Sequence, residues 1–304
     1  MRFNLRSLLF ANLRLLSFPQ CVLLFLTAIG TFSCNLLDED EMIPAYIRVD
    51  DVSLSTTYIV EGSNSQAIND CWLYIDDQLI GIFEPPFSVP VLYEGQSKLE
   101  IFPGIKKNGI SNSRVRYPFY TSYLNDSNLI LEAGEEHLVK PKFNYISGLE
   151  FAWKEDFEDL SLTMTNAPSF DADLILKRSS EAFEGNGFGL VELGPNAGAF
   201  KALNSDALDL PQLGAEIYIE LDYKCDSEFE IGYRTNRLDG SVFEQSMIVV
   251  NPTTEWKKIY VELGEEISEE TNVKDFEIFI LAFIPEGVTN SKLYFDNIKL
   301  LYRK

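Results

Sequence analysis

The chain has 304 residues and a mass of 34.6 kDa, enough for two domains of ordinary size. Apolar residues make up 46% and aromatics 13%, which excludes general disorder. With 25 Lys+Arg against 47 Asp+Glu the net charge is −22, which argues against nucleic acid as a partner, and a single histidine, His137, removes most imidazole catalysis and most zinc chemistry.

Residues 1–33 carry Arg2, Arg6 and Arg14 and no acid, then an apolar run over 21–29 and small or polar residues before Cys34. This is the layout of a secretory signal. A membrane span needs about 20 apolar residues in a row, and Arg14 and Pro19 interrupt the stretch. Thr31-Phe32-Ser33-Cys34 resembles a lipobox, and Asp38-Glu39-Asp40-Glu41 resembles the export signal of Bacteroidota-type surface lipoproteins. The resemblance implies a lipid on Cys34, an acidic tether over 34–44, and an outer-membrane location facing the exterior. Without residues 1–33 the balance is 22 against 47, or −25, which repels anionic head groups and leaves the lipid as anchor. Cys21 falls in the signal, so Cys71 and Cys225 remain, read as two buried free thiols or as a disulfide in an oxidising compartment.

From residue 45 onward the apolar pattern has period two, which marks strands with one face in a core and one in water. The expected fold is all-β: an Ig-like sandwich over 45–145, then a jelly roll over 150–304, with the boundary near 143–151. In the first part Asp70-Cys71-Trp72-Leu73-Tyr74-Ile75-Asp76-Asp77-Gln78-Leu79-Ile80-Gly81 reads as a hairpin. With the proline-led strand that follows, it resembles a PEGA-type module. The segment 104–120 is the basic, aromatic-rich stretch of an acidic chain. Arg114, Arg116, Tyr117, Phe119 and Tyr120 are its candidate partner-binding residues, the bland alternative being a half-buried strand with its arginines paired to local acids.

In the second part, alternation predicts strands over 217–223, 228–233, 258–263, 276–283 and 292–302. An opening Asp156-Phe157-Glu158, a loop Glu184-Gly185-Asn186-Gly187, an entry Thr254-Glu255-Trp256-Lys257-Lys258 and a closing Asp296-Asn297-Ile298 resemble a carbohydrate-binding-module jelly roll of the galactose-binding type. That resemblance implies a structural calcium held by Glu158 and Asp296 with carbonyls from the 184–187 loop, since calcium takes six to eight oxygens. For a sugar, Tyr233 and Phe243, flanking the turn at Leu238-Asp239-Gly240, are the candidate platform, and Trp256 reads as core.

No phosphate loop, G-x-S-x-G or H-E-x-x-H occurs, so no catalytic role is expected. The leading expectation is a non-catalytic scaffold subunit of an outer-membrane protein complex for uptake, secretion or barrel assembly, docking a β-barrel partner through 114–120. The alternative is a surface lipoprotein that captures polysaccharide through the jelly roll.

Overall fold

Residues 41–304 are described in a computed structural model, without the side chains of 126–128. Cys34, Asp38, Glu39 and Asp40 lie outside the described residues, and Glu41 opens them, exposed. No helix among the described residues is long and apolar enough to cross a membrane.

The first ten strands are β1 (Ala45–Val49), β2 (Ser53–Ser55), β3 (Asp70–Ile75), β4 (Gln78–Phe83), β5 (Phe87–Val91), β6 (Gly95–Lys106), β7 (Arg114–Arg116), β8 (Tyr123–Leu131), β9 (Glu136–Val139) and β10 (Lys142–Asn144), with a one-turn helix α1 (Tyr58–Glu61) after β2. One layer runs β5-β1-β9 beside the pair β10-β2; the other runs β4-β3-β6-β7 with β8 also on β6. Alternation builds the core directly: Ala45, Ile47 and Val49 face in while Tyr46 and Arg48 face out. The expected hairpin forms as β3 and β4 around Asp76 and Asp77, both at positive φ (48° and 64°), the geometry a two-residue turn needs to match strand twist. Lys98 N–H donates to Asp76 Oδ1 at 2.8 Å and holds that turn against β6.

The second sandwich holds β11 (Leu149–Glu155), β12 (Met164–Asn166), β13 (Leu174–Arg178), β14 (Gly187–Leu193), β15 (Ala199–Asn204), β16 (Ile217–Cys225), β17 (Phe229–Arg237), β18 (Val242–Val250), β19 (Thr253–Glu262), β20 (Val273–Phe283) and β21 (Ser291–Arg303), with a short helix α2 (Gly264–Glu269) between β19 and β20. Its six-stranded sheet runs β13-β14-β21-β16-β19 with β11 also on β21, and its five-stranded sheet runs β12-β15-β20-β17-β18. Phe200, Phe229, Phe276 and Phe295 fill the space between the sheets. The fold is all-β, as the alternation requires. Cys71 and Cys225 are buried free thiols, one in each sandwich, and burial pushes both up, to about 12 and about 11.

Residues 44–304 form a single compact unit because the two sandwiches share a buried seam. Tyr218, Tyr260 and Leu301, carried by the second sandwich, pack inside the core of the first. Tyr117 meets Tyr218 edge-on at 5.1 Å and Tyr260 at 4.9 Å, and Phe119 meets Tyr218 at 5.5 Å. Such pairs contribute about 0.5–1.5 kcal/mol each beyond their burial. The backbone joins as well: Asn108 N–H donates to the Tyr260 carbonyl at 2.8 Å, and Glu262 N–H donates to Asn108 Oδ1 at 2.8 Å.

Under the tyrosines lies a buried ionic group. Glu220 accepts from Tyr117 Oη at 2.8 Å and from Tyr145 Oη at 2.9 Å, and its Oε2 stands 3.2 Å from Lys258 Nζ. Lys299 Nζ donates to the Ser63 carbonyl at 2.6 Å and to Tyr145 Oη at 3.2 Å. Asp222 accepts from Ser65 Oγ at 2.7 Å and from Asn297 Nδ2 at 3.1 Å. Burial works to lower Lys258, but Asp222 and Glu220 outweigh it and hold its ammonium above the usual lysine range. Burial dominates at Lys299, pulling it down to about 8.

Candidate functional site

The basic aromatic strip does not face solvent. Tyr117, Phe119 and Tyr120 are buried in the seam, so their partner is the second sandwich of the same chain. Aromatic residues at this spacing signal an interface, and here the interface is internal. The two arginines stay outside. Arg114 is tied to Asp70 and Glu84, whereas Arg116 lies exposed over the Phe102 ring at 4.8 Å and the Trp72 ring at 5.8 Å. The docking strip expected over 114–120 is thus largely consumed by folding.

The expected sugar platform is also rearranged. Tyr233 points into the jelly-roll core, 2% exposed, with Oη donating to Glu270 at 3.1 Å. Alternation puts it on the same face as Phe229 and Ile231, so it is a core residue and not a platform. Phe243 is partly exposed, and Arg237 covers its ring at 5.4 Å. The outward face of that sheet is closed by its own ion pairs: Glu244 binds Lys201 at 2.6 Å and Arg234 at 2.8 Å, while Lys201 sits 4.3 Å over the Phe279 ring.

Trp256, expected to be core, lines the seam instead. It is half-buried on β19, with Nε1 donating to the Glu181 carbonyl at 3.1 Å, a bond that fixes its ring plane. Phe183 packs against it at 5.8 Å and is itself 42% exposed. Lys224 lies 5.8 Å from the same ring and 4.2 Å over Tyr294. Trp256 and Phe183 form one wall of a cleft of about 570 Å³ along the seam. The facing wall comes from the first sandwich, with Asn69, Lys106 and Asn108, and the rim carries Asn251 and Lys257. Among the described residues, the side chains of Asn69, Asn251, Lys106 and Lys257 make no hydrogen bond or ion pair to the protein. At the floor are Ser65, Asp222, Lys258 and Tyr260: Ser65 donates to Asp222, Tyr260 Oη accepts from the Ala67 N–H, and Lys258 Nζ faces Glu220 at 3.2 Å without a hydrogen bond. An apolar ring face beside amides and ammoniums has the chemistry to pack against an apolar ligand face and to hydrogen-bond polar groups at its rim.

The loop expected to hold calcium does bring Glu158 and Asp296 to the same segment. A Cβ on Gly185 would collide with the Glu158 carboxylate and one on Gly187 with the Phe157 carbonyl, which explains both glycines. The polarity is opposite to a calcium shell, however. Asn186 and Gly187 N–H groups donate to Glu158 Oε1 at 2.8 and 2.7 Å, and Glu184 N–H donates to Asp296 Oδ2 at 3.2 Å. Among the described residues no three acidic, histidine or cysteine side chains converge to hold a metal. The loop therefore already satisfies these carboxylates with amides, the residues as arranged do not fit a calcium ion, and no step below runs through one. Burial drives the Asp296 carboxyl up to about 8.

No protein-family model and no curated protein matches the chain. Solved structures similar to half of it include the C-terminal family 22 carbohydrate-binding module of Clostridium thermocellum Xyn10B, at 15% identity and TM-score 0.37 over 50% of this chain and 94% of that one. The CBM22-1 xylan-binding domain of Paenibacillus barcinonensis Xyn10C is similar at 10% identity and TM-score 0.39, over 52% of this chain and 98% of that one. The family 11 module of the cellulosomal cellulase Lic26A-Cel5E of Clostridium thermocellum follows at 16% identity and TM-score 0.36, over 51% and 95%. No binding property passes from these to this chain at such identities.

Proposed function

We propose that this protein is a non-catalytic, lipid-anchored surface protein that binds glycan in the cleft between its two sandwiches. One observation carries the reading: the half-exposed Trp256 and Phe183 stand beside Asn69, Asn251, Lys106 and Lys257, polar side chains that the fold itself leaves without partners. The lining supports the non-catalytic part. Asp222 is its one acidic side chain among the described residues, and both of its oxygens already accept hydrogen bonds. Glycoside hydrolysis needs two carboxyl groups flanking the bond. A scaffold role loses its support with the burial of Tyr117, Phe119 and Tyr120.

Affinity electrophoresis of the full chain in mild detergent, across a panel of neutral and acidic polysaccharides, tests the site. Trp256→Ala is expected to weaken binding about tenfold or more, the equivalent of about 1.4 kcal/mol, with an unchanged melting curve because the ring is half outside the core. Equal binding by wild type and variant would remove the cleft from the account. The anchor rests on the signal-like segment ahead of Cys34. Cys34→Ser is expected to move the protein out of the membrane fraction, and retention there would sink the lipid anchor.

A further inference from the structure

We infer that the cleft takes a carboxylated sugar, a hexuronate unit of an oligosaccharide, whose carboxylate meets Lys106 and Lys257 while a ring face rests on Trp256. The inference rests on the glycan-binding reading and names the ligand class of that same site.

The charge distribution carries it. The chain as a whole bears −22, yet the ionisable side chains lining the cleft, apart from Tyr223 and Tyr260, are Lys106, Lys257, Lys258 and Asp222. Below the floor, Glu220 and Asp222 stand against Lys258 and Lys299, with the buried Asp296 carboxyl, pushed up to about 8 by burial, beside Asp222. Lys106 and Lys257 are left over. Neither makes an ion pair, although the chain has acids to spare elsewhere. Lys106 ends β6 of the first sandwich and Lys257 lies on β19 of the second, so the seam itself places both ammoniums on one cleft. Lys224 adds a third ammonium beside the aromatic wall.

A neutral sugar would leave both rim ammoniums with water alone. A uronate would give them charge-assisted hydrogen bonds, roughly twice as strong as neutral ones. The surrounding surface sharpens the choice. An acidic chain repels an acidic polymer at long range, and within about a Debye length, roughly 8 Å at physiological salt, the two rim ammoniums offset that repulsion.

The test is isothermal titration of the full chain in mild detergent with an oligogalacturonate of defined length and with its methyl ester, which keeps the rings and removes the charge. The free acid is expected to bind about tenfold more tightly at low salt. That advantage should fade near 1 M salt, where the Debye length is about 3 Å. The double variant Lys106→Gln/Lys257→Gln is expected to lose the preference for the acid while melting like the wild type, since Lys257 is exposed, Lys106 is partly exposed and neither makes an ion pair. Equal binding of acid and ester, or a preference that survives the double variant, overturns the inference and leaves the glycan reading standing. Failure of both probes also overturns it, and the Trp256→Ala comparison on the polysaccharide panel then decides the wider reading separately.

Discussion

Glu220→Ala is expected to destabilise residues 44–304 by about 3–5 kcal/mol, the usual cost of removing one partner from a buried ion pair. The side chain is fully buried and accepts from Tyr117 and Tyr145 while facing Lys258. Alanine strands two tyrosine hydroxyls and leaves Lys258 and Lys299 with Asp222 as the remaining nearby carboxylate. At about 2–4 °C per kcal/mol for domains of 150–250 residues, Tm should fall by roughly 6–20 °C. Glu220→Gln keeps one acceptor oxygen, so one of the two tyrosine bonds survives while the charge and the second acceptor are lost, and its loss should be smaller than that of alanine. Calorimetry of the three proteins checks the order. A glutamine variant as damaged as alanine would mean that one retained tyrosine bond does nothing for the seam without the full carboxylate.

Phe119→Ala should have a comparable effect by a different route. The ring is fully buried at the seam, edge-on to Tyr117 at 5.4 Å and to Tyr218 at 5.5 Å. Emptying such a site costs about 3–5 kcal/mol from lost transfer energy and the cavity left behind. Because the cavity opens between the sandwiches, the loss should reach the cleft: Asn69 and Lys106 come from one side and Trp256 from the other. Weaker glycan binding at a temperature where the variant is still folded is the expected result. A strip at 114–120 that served an external partner would instead give a variant with near-normal Tm.

Much of the fold was legible in the residues. The alternation over 217–223, 276–283 and 292–302 marks stretches that fall inside β16, β20 and β21, and that over 258–263 overruns the end of β19 by one residue, because a half-buried strand has no other way to satisfy both of its faces. The seam was not legible. In Ile217-Tyr218-Ile219-Glu220-Leu221-Asp222-Tyr223 the alternation assigns Glu220 and Asp222 to a water face, and both are fully buried because another sandwich covers that face. The signal exists only across strands. Glu220 pairs with Tyr260 and Lys299, and Asp222 with Lys258 and Asp296, so acids, lysines and a tyrosine share one face of three neighbouring strands. Period-two reading within one strand does not show that. The same covering explains why Tyr117, Phe119 and Tyr120 read as a contact surface. It also left Trp256, at the edge of the covered region, half exposed where its position at a strand entry reads as core.

Hydrogen–deuterium exchange of the full chain, with and without a polysaccharide that it binds, tests the cleft most directly. Protection is expected together at 106–109, from the first sandwich, and at 256–258, from the second, since the cleft exists only where these segments meet. Protection confined to 229–245, on the five-stranded sheet, would contradict the account and return the site to the jelly-roll face.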